Sequence, residues 1–113
     1  MVDNAEIAAL LRALGHDVRL NILQCLLAGE ATVGQIEVQG QFRQPLLSQQ
    51  LAVLRKAELV KTRRDAKQVY YSIAPQQFAM LDQYLAKFAA DQAAPPLAGA
   101  PHPVSAAVFA KMG

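Results

Sequence analysis

Gln44-Pro45-Leu46-Leu47-Ser48-Gln49-Gln50-Leu51-Ala52-Val53-Leu54-Arg55-Lys56-Ala57-Glu58-Leu59-Val60-Lys61-Thr62-Arg63-Arg64-Asp65-Ala66-Lys67-Gln68-Val69-Tyr70-Tyr71-Ser72-Ile73 decides the fold, because its hydrophobic period changes once along its length. Leu47, Leu51 and Leu54 recur at helical spacing, and Pro45 suits the first turn of that helix, where its missing N–H is not needed. From Leu59 the period falls to two. Val60 and Thr62 share one face of a strand running to Arg64, while Val69, Tyr71 and Ile73 share one face of a second strand from Gln68 to Ile73. Asp65-Ala66-Lys67 lies between them, without a glycine to name the turn type. A helix with glutamines and a serine on its exposed face therefore leads into a basic β-hairpin.

Upstream, Ile7, Leu10, Leu11 and Leu14 predict a helix over residues 5–14, with Asp3 or Asn4 available as its cap. Gly15-His16 breaks it, and Asp17 can cap a second helix. Val18, Leu20, Ile22, Leu23, Leu26 and Leu27 give that helix a nearly all-round apolar surface, which places it at the centre of the domain. Ala28-Gly29-Glu30 ends it. Thr32 caps a short third helix reaching about Gln39, Gly40 supplies the turn, and the fourth helix runs from Pro45 to about Ala57. Pro75 opens a fifth helix, where Phe78, Leu81, Leu85 and Phe88 recur at 3-4-3 spacing with Tyr84 beside them; such a stripe makes a helix–helix contact.

From Gln92 the composition shifts to alanine and proline, so residues 1–91 read as one domain and 92–113 as an Ala/Pro-rich C-terminal tail. Two readings of the tail stay open: a flexible segment, or a short amphipathic turn through Val104, Val108 and Phe109 that docks on the body.

With 113 residues the chain fits a single small domain that relies on a partner subunit to cover surplus apolar surface. The 53% hydrophobic and 18% charged content argues against disorder. No apolar run approaches the roughly 20 residues of a membrane span, and the start carries neither a basic region nor a cleavable apolar core. The single cysteine, Cys25, excludes an intrachain disulfide framework and suits a reducing compartment. The expectation is a cytoplasmic protein with no membrane contact.

The net charge of +2 says less than its distribution. From Arg43 to Lys67 there are seven basic residues against two acids, while the remainder holds four basic and seven acidic residues. That asymmetry is expected where one face meets phosphates.

The order helix–helix–helix–helix–strand–strand–helix is a winged helix-turn-helix pattern, mostly α with a β-hairpin wing. In that fold the second helix of the motif enters the major groove with its N-terminal half toward base edges. The exposed positions there are Gln44, Leu46, Ser48, Gln49 and Gln50. A glutamine amide can donate and accept together at adenine, a serine reaches a base edge or phosphate, and Leu46 suits a thymine methyl. Arg55, Lys56, Lys61, Arg63, Arg64 and Lys67 suit phosphates, or for one arginine the minor groove. No nucleophile–base pair, carboxylate pair or phosphate-cradling glycine loop is present, so neither an enzyme nor a cofactor is expected.

Three separated segments, 11–23 (Leu-Arg-Ala-Leu-Gly-His-Asp-Val-Arg-Leu-Asn-Ile-Leu), 44–60 and 69–73 (Val-Tyr-Tyr-Ser-Ile), resemble the arsenic-repressor (ArsR) family in order and spacing. The resemblance covers about residues 5–90. It implies a homodimeric bacterial transcription repressor that pairs through its first and last helices. It also implies a near-palindromic double-stranded operator, with recognition helices about 34 Å apart, one DNA turn.

Metal-sensing members carry Cys-x-Cys at the start of the third helix, where this chain has Thr32 and Gly34. A second family site uses acids and histidines on the last helix; here Asp82 and Asp91 have no histidine near them, and the only histidines are His16 and His102. His16 reads as a helix-boundary residue and His102 as a solvated tail residue. No metal site of the usual kind is expected. The wing and the segment Ile-Leu-Gln-Cys-Leu-Leu-Ala-Gly-Glu (22–30) are nearest to the thiol-responsive branch. That branch's first cysteine falls on Gln24, one residue before Cys25, and its second has no counterpart. One residue rotates a helical side chain by about 100°. Cys25 thus reads as a structural thiol, with a redox role through Cys25 alone as the alternative. A small-molecule effector in the dimer crevice, or no effector, and a winged-helix protein-interaction module complete the readings.

Overall fold

Asp3 starts the first helix, its Oδ1 accepting the Glu6 N–H at 2.8 Å. The computed structural model describes residues 3–90 as α1 (Asn4–Leu14), α2 (Asp17–Leu26), β1 (Ala31–Thr32), α3 (Val33–Gly40), α4 (Leu46–Lys56), β2 (Val60–Asp65), β3 (Gln68–Ile73) and α5 (Pro75–Ala89). The expectations for the 92–113 tail, and those for Asp91 and His102, lie outside the described residues.

The most deeply buried side chains are Ile22 of α2, Ile36 of α3, Leu47, Leu51 and Leu54 of α4, and Leu59 just beyond it. Each contributes roughly 1.5–3 kcal/mol by leaving water. Since most of them lie on α2, α3 and α4, the core clamps the helix-turn-helix pair onto α2. Ile7 and Leu10 from α1, Val60 from β2 and Leu81 from α5 close it.

β2 and β3 pair antiparallel from Val60↔Ile73 to Asp65↔Gln68, which leaves a two-residue turn, Ala66-Lys67. Ala66 takes φ 55°, the left-handed conformation that a tight hairpin demands and that a glycine would have announced. The strand thus begins one residue later and ends one later than the alternation indicates. A third strand, β1, adds to the other edge of β3 through Ala31↔Tyr71 and Thr32↔Tyr70. Two residues carry no legible alternation.

Several local expectations are corrected. His16, not Asp17, is the N-cap of α2; its Nδ1 and the Asp17 Oδ1 both face the Val18 N–H, at 3.2 and 2.8 Å. Thr32 caps α3 with a reciprocal bond to Gln35, but Gly40 is the last residue of that helix rather than the turn. The left-handed residue is Gln41, at φ 56°. Gly40 leaves room for a neighbour instead: a Cβ there would run into the Phe42 ring, which would have to move aside. Pro45 sits at the N-cap of α4, one position before the helix proper.

The apolar surface of α2 is not buried all round. Ile22, Leu23 and Leu26 enter the core, whereas Leu20 and Leu27 stay exposed. The α5 stripe divides likewise: Leu81 is buried and Phe78 half-buried within the protomer, while Leu85 and Phe88 remain 45% and 71% exposed. Leu11 of α1 is exposed too. Tyr84 ties the two helices together, its hydroxyl 3.0 Å from Asn4 Oδ1. No helix among the described residues is long and apolar enough to cross a membrane.

Candidate nucleic-acid interface

A proline at the N-cap has no side-chain acceptor for the orphan amides of the first turn. Gln44 supplies one from the preceding position: its Oε1 accepts the Ser48 N–H at 3.1 Å and the Ser48 hydroxyl at 2.7 Å. Its Nε2 donates to Glu37 Oε1 at 3.2 Å. Gln44 and Ser48 are exposed but occupied with each other and with α3.

The next two glutamines differ from it and from one another. Gln50, half-buried on the flank of α4 nearest α2, accepts from Arg19 Nε at 2.7 Å through its Oε1. Gln49 is exposed, and its amide makes no hydrogen bond within the described residues. Leu46 and Val53 are exposed apolar side chains on the same helix, and Arg55 and Lys56 are exposed at its end. One helix thus presents a free amide, an exposed leucine and, one to two turns on, two cations.

The wing supplies the remaining charge. Lys61, Arg64 and Lys67 are exposed and carry no ion pair within the described residues. Arg63 is differently placed. It forms a two-pronged bond to Glu30, Nε to Oε2 at 3.1 Å and Nη2 to Oε1 at 2.6 Å, and lies over the Tyr70 ring at 4.6 Å. Asp65 stands 3.7 Å away on its other side. The Arg63 bond holds the Glu30 carboxyl below its ordinary value. The clamp therefore stays charged through neutral pH and opens only in acid, as pH falls through that lowered value.

Arg19, Glu30 and Glu37 are absent from the residues picked out by sequence. Two of them reach their partners across 31 and 33 residues of chain, a separation with no periodic signal. Cys25 is a half-buried free thiol at the edge of a groove formed with Thr32, Gly34 and Gln35. Among the described residues no group of three or more His, Cys, Asp or Glu side chains is placed to hold a metal ion.

A helix-turn-helix whose second helix exposes a free amide, beside a hairpin rich in unpaired cations, defines a winged-helix DNA-binding domain. Residues 16–62 match the family model for bacterial regulatory proteins of the arsR family. A biofilm growth-associated repressor of Agrobacterium fabrum is 48% identical over 80 residues, 71% of this chain and 68% of that protein. The crystal structure of the transcriptional repressor BigR from Xylella fastidiosa superposes with a TM-score of 0.61 at 42% identity, covering 78% of this chain and 90% of that one. The homodimeric winged helix-turn-helix domain Mb0332 of Mycobacterium bovis gives 0.62 at 30% identity, covering 75% and 79%. The chain belongs to the ArsR family. Its function is DNA-binding transcriptional regulation, in a family that forms homodimers, and not catalysis.

Proposed function

We propose that the protein is a homodimeric repressor that holds a near-palindromic operator, reading bases with the N-terminal half of α4 and gripping phosphates with its wing. The observation that carries this is the free, exposed amide of Gln49 flanked by exposed cations. Gln49, Gln50 and Leu46 face bases; Arg55, Lys56, Lys61, Arg64 and Lys67 face phosphates. Gln44 and Ser48 set the start of the helix, and Arg63 joins the phosphate set only by leaving Glu30.

The repressing sense is supported by the relatives named as repressors in Agrobacterium and Xylella. A Vibrio cholerae relative, HlyU, is named a transcriptional activator. α1 and α5, with Leu11, Leu85 and Phe88 exposed, form the pairing face. One cysteine cannot make an intrachain disulfide, which leaves a small molecule in the crevice between protomers, or no effector, with the Cys25 thiol as the rival.

Selection of bound DNA from a random pool tests this. The expected product is a near-palindrome whose half-sites lie about one helical turn apart. Recovery of unrelated sequences would overturn it. Repeating the selection with oxidant, on wild type and Cys25→Ser, decides the rival: identical behaviour of the two removes Cys25 from the switch.

A further inference from the structure

Arg19 makes three hydrogen bonds with two ends of the domain. Its Nε donates to Gln50 Oε1 at 2.7 Å, and its Nη1 donates to the Ala13 and Arg12 carbonyls at 3.1 and 3.4 Å. Those carbonyls belong to the last turn of α1, where they carry partial negative charge, and that of Arg12 also accepts the Gly15 N–H at 3.3 Å. The guanidinium is therefore held from both sides, by α1 and by α4, and is half-buried.

An arginine can only donate, so the Gln50 atom facing it must be the amide oxygen. The orientation of that amide follows from chemistry rather than from the choice between two similar atoms. With the oxygen drawn toward α2, both hydrogens of the Gln50 NH2 remain unpaired. We propose that Arg19 is a positioning residue that fixes Gln50 with its oxygen inward, so that Gln50 meets the major groove as a hydrogen-bond donor alone. This rests on the reading of α4 as the base-contacting helix.

The consequence is a definite base preference. Bidentate recognition of adenine needs the amide oxygen and nitrogen side by side against one base edge. Gln50 cannot present that pair while Arg19 holds its oxygen, and the second lone pair of that oxygen does not bring it round to the groove. A lone donor is best satisfied by guanine, with acceptors at both N7 and O6, and then by thymine O4; adenine N7 accepts only beside a repelling N6 amino group, and the cytosine amino group repels outright. Gln49, free at both ends of its amide, remains the glutamine able to pair with adenine. Two adjacent glutamines thus read different bases because one has a partner on α2.

The test is competitive binding by the full-length dimer to selected operators varied one base at a time. Gln50→Ala identifies the position, flattening preference there in both half-sites, and wild type favours guanine or thymine at it. Arg19→Met frees the oxygen and shifts that position toward adenine by roughly five- to 150-fold. A purely structural Arg19 would instead lower affinity for every base alike. Should Arg19→Met not fold, the wild-type preference itself decides, because a glutamine with both amide atoms free favours adenine. Adenine as the wild-type preference, or no adenine shift in a folded Arg19→Met, overturns the donor assignment and leaves α4 as the reader. No change at any position in Gln50→Ala overturns both the donor assignment and the place of Gln50 among the base contacts.

Discussion

Replacing Leu85 and Phe88 together by glutamate is expected to separate the protomers and to lower operator affinity by about 10²–10⁴-fold, the contribution of linking two binding events. Both side chains are on α5 and exposed in the protomer, Phe88 at 71%. A twofold interface brings each patch against its own copy, so every new carboxylate faces another. The fold should survive, because Leu81 holds α5 to the core and is untouched. Sedimentation should show monomers with an unchanged helical spectrum, while binding to single half-sites changes little. A dimer that persists would place the pairing face elsewhere, with Leu20 and Leu27 of α2 the next exposed apolar residues to replace.

Salt should act as strongly. Each protomer offers Arg55, Lys56, Lys61, Arg64 and Lys67 as exposed cations without an ion pair in the described residues. If six to ten phosphates are neutralised by the dimer, affinity falls by roughly 10³–10⁵ between about 50 and 200 mM salt. Arg63 does not count toward that number while Glu30 holds it. Glu30→Gln should release it and steepen the log–log slope by about 0.9 per protomer. A slope near zero would rule out the phosphate grip, and an unchanged slope in Glu30→Gln would show that Arg63 stays with Tyr70.

The fold was legible because its signals are periodic. The change of spacing at Leu59, the capping threonine at Thr32 and the proline at Pro75 each mark a boundary that lies within a residue or two of the observed one. Two-residue β1 has no period to read, and the Ala66 turn lacks its usual glycine. Total apolarity is a weaker guide in α2, where Leu20 and Leu27 stay outside the core. Leu20, Leu27, Leu85 and Phe88 satisfy the same spacing rules as the core, and only packing separates the set that faces inward from the set left outside.

The candidate site divides in a similar way. Residue type puts glutamines, serine and cations on segments that are exposed, since exposure of α4 and of the hairpin follows from their leucine and valine periods. What residue type could not supply is occupancy. Gln44, Gln49 and Gln50 look alike in sequence, yet one caps its own helix, one is free and one is held by Arg19. Arg63 and Arg64 are adjacent, yet one is clamped and one is not. The partners come from α2, α3 and the turn before β1, so the distinction appears only after folding.

The division of labour between helix and wing is tested most directly by comparing Gln49→Ala and Arg64→Ala on the selected operator and on random DNA of equal length. Gln49→Ala should cost about 1–3 kcal/mol on the operator and almost nothing on random DNA. Arg64→Ala should weaken both to the same degree. Equal losses on operator and random DNA for Gln49→Ala would contradict the account, because α4 would then hold the duplex without reading it.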